Sequence, residues 1–288
     1  MKYKSLLLLF LLLSFNLFSQ KIKLKTQAKL SQKLWESSGL VVGTNNTVWT
    51  HNDSGGKAVI YKLNTKGEII KELKILSVKN TDWEDMANDY KGFVYIADIG
   101  NNRNRRKDLK ILKIPHPDSL KSDSVLPQII SFSYENQTAF PPEYTDRNFD
   151  AEALIAYEDS LFIFTKNRTK PYSKYTYIYA LANRAGQQKA ILTDSLYLKR
   201  THKYSSWVTS ASRHPNKDIV VLLSHKKAWI IYNFRNKSKQ KLVKTKTSGI
   251  YSQKEAIAFD MEENIWITNE KYKFLKAKLK KGKVVFKE

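Results

Sequence analysis

The chain has no cysteine, 7 prolines and 10 glycines in 288 residues, and it carries 27 acidic against 50 basic side chains. Without cysteine no disulfide braces the fold and the usual lipid-attachment thiol is missing, so stability has to come from packing. Glycine is too sparse for a Gly-rich phosphate loop, and neither an HExxH helix nor a serine in a nucleophile elbow occurs. No stretch sustains helical periodicity, which argues against an α/β barrel or a helical solenoid. No arginine-rich cluster with interleaved aromatics marks a nucleic-acid groove, so no nucleic-acid partner is expected. Beyond the first residues no run is apolar for the roughly 20 residues that a membrane-spanning helix needs.

What is present begins with Met1-Lys-Tyr-Lys4, an apolar run from Leu6 to Leu13, and a small residue at Ser19. That order reads as a secretory signal peptide over 1–19, with a single domain over 20–288, exported to a periplasm or beyond. The formal charge is +23. Two readings of it stand. Lysines that alternate with apolar residues, as in Lys271–Lys281, keep outer sheet edges soluble; alternatively they draw an anionic small molecule or glycan. The densest basic loop is Asn101–Lys107.

A repeat organises the rest. Ser38-Gly-Leu40, Glu84-Asp-Met86, Glu152-Ala-Leu154, Ser210-Ala-Ser212 and Glu255-Ala-Ile257 are each followed by an apolar run with a polar end. Those runs are Val48–Asn52, Val94–Asp98, Phe162–Lys166, Val220–Ser224 and Ile265–Asn269. Two further β-rich segments follow each, the last pair being Phe274–Lys278 and Val284–Phe286, with turn chemistry such as Thr65-Lys-Gly67 between. Four short strands per unit, repeated, predict an all-β propeller of four-stranded blades, five by this spacing with six as the alternative. Lys21–Leu30 alternates like a strand and is expected to pair with the last blade, closing the ring.

Several motifs carry a resemblance: Glu36–Leu40, Trp49–Gly55, Asp82–Met86, Tyr95–Asn101, Asp150–Leu154 and Glu255–Ile257. Together they resemble secreted bacterial propellers near the phytase-like and esterase-like propellers and the gluconolactonase group. The resemblance spans nearly all of the chain after the signal. It implies the propeller fold and, in some members, divalent ions held by Glu, Asp and Asn near the channel mouth.

In a propeller the innermost strand starts, and the second strand ends, on one rim of the channel. That rim therefore collects Ser38, Glu84, Glu152, Ser210 and Glu255, with Glu36, Asp82 and Asp150 two residues earlier and Asp53 and Glu270 at second-strand ends. Crowded carboxylates need a cation, a proton or hydrogen-bond donors. By position, Glu84, Glu152, Glu255, Asn52, Asp98 and Asn269 match the ion-binding pattern of the resemblance, and Ca²⁺ suits such oxygen donors. The competing reading is that these polar residues lock neighbouring blades through backbone amides. His51 and His225, at second-strand ends, are the candidate catalytic bases; His116, His202 and His214 read as surface. Arg103, Lys166, Asn167 and Arg168 are the candidate holders of an anionic substrate, joined by Arg105 and Arg106. Loops 136–149 and 167–174 are placed over the mouth. The functions implied are a divalent-metal-dependent hydrolase of an ester, lactone or phosphoester, or a non-enzymatic binding or scaffold propeller of the cell envelope.

Overall fold

The computed structural model describes residues 21–198, 206–247, 253–284 and 286, and its regular structure is almost entirely strand. The expected signal over 1–19, and His202, lie outside the described residues. Strand β1 (Lys21–Lys29) comes first. The first antiparallel meander follows as β2 (Ser37–Val42), β3 (Val48–Asn52), β4 (Val59–Leu63) and β5 (Ile69–Ile75). The next uses β6 (Trp83–Asn88), β7 (Phe93–Asp98), β8 (Lys110–Pro115) and, after the two-residue β9 (Ser124–Val125), β10 (Gln128–Tyr134). Then come β11 (Ala151–Tyr157), β12 (Ser160–Thr165), β13 (Tyr175–Ala182) and β14 (Gly186–Tyr197). A further meander is β15 (Val208–Arg213), β16 (Ile219–Ser224), β17 (Lys227–Tyr232) and β18 (Lys241–Thr247). The last is β19 (Lys254–Phe259), β20 (Asn264–Asn269) and β21 (Lys278–Val284), and β1 adds to β21 as its fourth strand.

Strands β2, β6, β11, β15 and β19 pack each against the next, and β19 packs against β2, so the innermost strands close a ring. The architecture is a β-propeller. Parallel pairing of outer strands, β10 with β14 and β18 with β1, fuses neighbouring meanders at the perimeter. Burial follows from this layering. Every residue of β16, β19 and β20 is buried, whereas outer strand β5 alternates between exposed and covered positions. The core lies between successive meanders: Val41, Trp49 and Ile60 face Trp83, Met86 and Val94, while Ala153 and Phe164 face Val220 and Trp229. Trp49, Trp83 and Trp266 are buried, as a role in packing between units requires.

Four expectations need correction. Phe274–Lys278 is not the third strand of the last unit: Tyr272 pairs with Leu275 to form a tight turn, Lys273 takes a positive φ of 54°, and the strand begins at Lys278. Its fourth strand is consequently β1 rather than Val284–Phe286. Lysines of β21 do not mark an open edge either, because β20 and β1 flank that strand. Finally, His214 is fully buried rather than on the surface; its ring packs 5.1 Å from that of Phe259, and Nδ1 accepts from the amides of Asn216 and Lys217, each at 3.1 Å.

Candidate functional site

Each innermost strand begins with a β-bulge against its neighbour. The extra residue is Glu84 in β6, Glu152 in β11, Thr209 in β15 and Glu255 in β19; in β2 it is Gly39. A bulged residue leaves the ladder and re-aims its side chain. This explains why a glutamate recurs here. In the fourth meander Thr209, not Ser210, stands in the glutamate's place, so the sequence phasing there was one residue late. The third second-strand likewise ends at Thr165, with Lys166 just beyond it.

Position by position, the rim separates into three chemistries. Around Glu84 the carboxylates are crowded: one oxygen each from Asp53, Asp82 and Glu84 lies within 4.8 Å of the others. Burial pushes Glu84 well above the usual carboxylate range, and Glu152, Asp53 and Asp82 push it further. Burial likewise lifts Asp82 to about 7 and Asp53 to about 6. Glu270, raised to about 9 by burial and then by Glu255, donates no charge relief; its carboxylate accepts from Gln253 Nε2 at 2.7 Å. Gly100 shapes this corner. A Cβ there would sit 2.3 Å from Asp82 Oδ2 and 2.3 Å from Glu84 Oε1, so the missing side chain leaves a small cradle between two carboxylates.

The second chemistry is ion pairing. Glu152 pairs with Lys166 and, at 3.4 Å, with Arg168, whose Nε donates to Asp150 Oδ2 at 2.6 Å. Burial favours the neutral amine of Lys166, but Glu152, Glu255 and Asp150 together outweigh it and hold the ammonium above its ordinary value. Both cations lie over Trp207, at 5.4 and 4.6 Å from its ring centre. Asp98 is held by Arg106 at 2.8 Å and Lys110 at 3.2 Å, which satisfies its charge without an ion. Glu255 faces His225 Nδ1 at 3.1 Å.

The third is locking between meanders, and its centre is a residue that sequence reasoning missed. Asp85 is fully buried at the axis. Its Oδ1 accepts from Ser210 Oγ and Met86 N, both at 2.9 Å; Oδ2 accepts from the amides of Leu154 and Ala211, both at 3.1 Å. Ser210 Oγ in turn accepts from Ile257 N at 3.1 Å, so one carboxylate ties successive innermost strands. The residue after the bulge is Leu40, Ala153, Ser210 and Ala256 in the other units, so a carboxylate stands at this place once. Ser38 adds a bond to Glu84 O at 2.6 Å, and Thr209 one to Lys254 O at 2.9 Å.

The remaining sequence-derived candidates are placed as follows. His51 is fully buried, edge-on to Trp83 at 5.4 Å, and burial lowers it to about 4, so its imidazole is neutral. Gly39, with φ 54°, exists for that ring: a Cβ would come 2.2 Å from His51 Nε2. Asn52 and Asn269 donate to Lys33 O and Glu270 O and leave their buried side-chain oxygens without a hydrogen-bond partner. Asn167 is fully used within and between loops 136–149 and 167–174, donating to Asn148 of the first and Ser173 of its own and accepting from Thr169. Arg103 and Arg105 are exposed on the loop whose Asn101 anchors it to Asp150 at 2.8 Å. Loops 136–149 and 167–174 interlock through Arg168 N to Arg147 O and Lys170 N to Tyr144 O, each at 2.9 Å.

The opposite rim carries a stack of aromatic rings and a cation. Arg213 lies between Tyr90 and Tyr157, at 4.7 and 4.8 Å from their rings, and Tyr90 donates to Arg213 O at 3.0 Å. A cavity of about 570 Å³ beside this stack is lined by Asn46, Tyr90, His116, Asp260 and Met261.

Among solved structures, the glutaminyl cyclase of Myxococcus xanthus matches 93% of this chain and 100% of its own at 10% identity, with a TM-score of 0.52. A streptogramin B lyase matches 92% of this chain and 98% of its own at 12% identity, with a TM-score of 0.47. Virginiamycin B lyase from Staphylococcus aureus covers 85% of this chain and 67% of its own at 13% identity, with a TM-score of 0.40. The first likeness establishes a shared propeller fold and, at such identity, the fold alone. No protein-family model and no curated protein matches the chain.

Proposed function

We propose that the chain is an exported five-bladed propeller, each meander a blade, whose channel mouth holds a divalent cation, Ca²⁺ foremost, on Asp53, Asp82 and Glu84. The supporting observation is the joint geometry of three converging carboxylates and the Gly100 cradle between two of them. Oxygen-only donors in partly exposed positions suit a hard cation that tolerates irregular coordination and keeps waters. The ion would relieve the repulsion that raises these carboxylates, and when bound it would supply Lewis acidity toward an ester, lactone or phosphoester oxygen. This chain's own residues do the rest. Lys166 and Arg168, pinned over Trp207, keep positive charge beside the acidic corner and orient an anionic substrate, with Arg103 exposed further out. His225, paired to Glu255, is the imidazole on this rim placed to hold a proton. The resemblance to phytase-like, esterase-like and gluconolactonase-type propellers points the same way, and an enzyme on this fold has a precedent in the glutaminyl cyclase.

The test is Gly100→Ala. Its backbone is not in the left-handed region, and the atoms that the new methyl meets, Asp82 Oδ2 and Cγ and Glu84 Oε1, belong to side chains rather than backbone. The variant is expected to fold with an unchanged melting temperature while losing the calorimetric Ca²⁺ signal and any Ca²⁺-dependent turnover in an esterase and phosphatase screen. Equal Ca²⁺ heats in both proteins, or none in the wild type, would discard the site. A second reading, a binding or scaffold propeller of the envelope, is favoured by the internal engagement of Asn167, Lys166 and Asp98. Ca²⁺ binding without turnover would select it.

A further inference from the structure

The turn between β20 and β21 exposes a side chain that the fold does not need. Phe274 is 99% exposed, the most open of the large apolar side chains among the described residues. It sits at the tip of the turn closed by Tyr272 and Leu275, next to Lys273 with its positive φ. Lys271, Lys273 and Lys276 surround it, all exposed, and Lys271 is braced over Trp35 at 3.4 Å. This turn joins a second strand to a third, so it projects from the same rim as the acidic mouth. Corresponding turns of other meanders add exposed Arg103, Lys107 and Lys226 to that rim. Glu84, Glu152 and Glu255 are buried, with Lys166 and Arg168 paired among the rim's acids, whereas six cations of these turns are exposed against the exposed carboxylates Glu36 and Asp108.

A collar of cations around one protruding aromatic ring has a specific physical fit. Cations near a bilayer surface gain from its negative potential, and an aromatic ring at the headgroup level gains from leaving water. A nucleic acid would call for several stacking platforms along a groove, and among the described residues this rim exposes one phenyl ring fully. We infer that this rim seats the protein peripherally on an anionic lipid bilayer, with Phe274 as the inserted side chain and the lysines of its turn on the headgroups. The inference does not rest on the cation site: it uses different residues, and calorimetry with Ca²⁺ reports on that site separately.

The test is sedimentation of residues 20–288, the chain after the expected signal, with phosphatidylglycerol vesicles and with phosphatidylcholine vesicles. Wild type is expected to sediment with the first and not the second, and to release in high salt as screening removes the charge contribution. Phe274→Ser is expected to weaken binding by about fivefold or more, since burial of a phenyl group is lost, with an unchanged melting temperature because the ring contacts solvent. Phe274→Trp provides an independent readout: its added fluorescence should shift to the blue on mixing with phosphatidylglycerol vesicles. Absence of sedimentation overturns the inference, as does sedimentation that Phe274→Ser leaves unchanged while the tryptophan stays unshifted. Soluble heparin bound more tightly than vesicles, with the same sensitivity to Phe274, also overturns it and identifies a glycan as the partner.

Discussion

Asp85 shows how a single carboxylate can organise a ring. Burial alone pushes it well above the usual range, and four donors pull the other way, which is how a buried acid becomes tolerable. Replacing it with alanine leaves the amides of Leu154 and Ala211 and the hydroxyl of Ser210 without that acceptor. Each buried group so stranded costs about 1–3 kcal/mol. Asp85→Ala should therefore lower the unfolding free energy by at least about 3 kcal/mol in urea titration, and Asp85→Asn by less, because its remaining oxygen still accepts. A loss below about 1 kcal/mol for alanine would show that the axis is held by packing instead. At this scale the sequence was only partly readable. Recurrence picked out Glu84, Glu152 and Glu255, since a repeat reports positions that share geometry. It passed over Asp85 because a carboxylate used once, where the other units carry Leu40, Ala153, Ser210 and Ala256, has no periodicity to find. It also could not distinguish Glu84, crowded by other acids, from Glu152 and Asp98, which are neutralised by Lys166, Arg106 and Lys110 from distant or flanking turns.

Among the elements, β1 has the most leverage, because it converts an open stack of meanders into a ring. Its Ile22 is fully buried, and its backbone lies so close to β21 that a Cβ on Gly282 would fall 2.0 Å from Lys23 O. Backbone cannot give way as a flexible side-chain end does. Gly282→Ala is expected to cost about 1–3 kcal/mol through overpacking, and to open the edge of β21, so limited proteolysis should release the N-terminal strand first. Gly56→Ala, whose nearest neighbour would be 3.8 Å away, is the matched control. Equal proteolysis of the two variants would mean that β1 is dispensable for closure. Most strands were legible from alternation and β-branched content: the expected Ile69–Ile75 is β5, and Val220–Ser224 falls within β16. The last unit was misread because Phe274-Leu-Lys-Ala-Lys278 alternates in sequence while its backbone turns at Lys273, and alternation cannot report a turn made without glycine or proline. The expected pairing of β1 with that unit is present, since an alternating segment far from any partner in sequence has an obvious place at an unclosed ring.

For the whole molecule, the consequence of gathering acids at one mouth is a stability that depends on pH and on cations. Asp53 at about 6, Asp82 at about 7 and Glu270 at about 9 all bind protons more tightly in the folded chain than in the unfolded one, where carboxylates titrate near 4. The stabilisation linked to these protons is complete below about pH 4 and is lost as pH rises through the folded values. Metal-free protein should accordingly show a melting temperature that declines from pH 5 toward pH 9, apart from the general losses that acid brings to other paired carboxylates such as Asp118, which Lys62 and other donors hold near 2 against burial. Added Ca²⁺ competes with protons for the same oxygens, so its stabilising shift should be small near pH 5 and grow toward pH 8. Asp82→Asn should flatten the decline and shrink the Ca²⁺ shift together, because one group causes both. Differential scanning calorimetry across that pH range, with chelator and with millimolar Ca²⁺, separates the possibilities. A decline that Ca²⁺ does not reverse would mean that the crowding at Asp53, Asp82 and Glu84 is relieved by protons alone, and a melting temperature that rises through neutral pH without ions would mean that the rim's lysines and arginines already balance its acids.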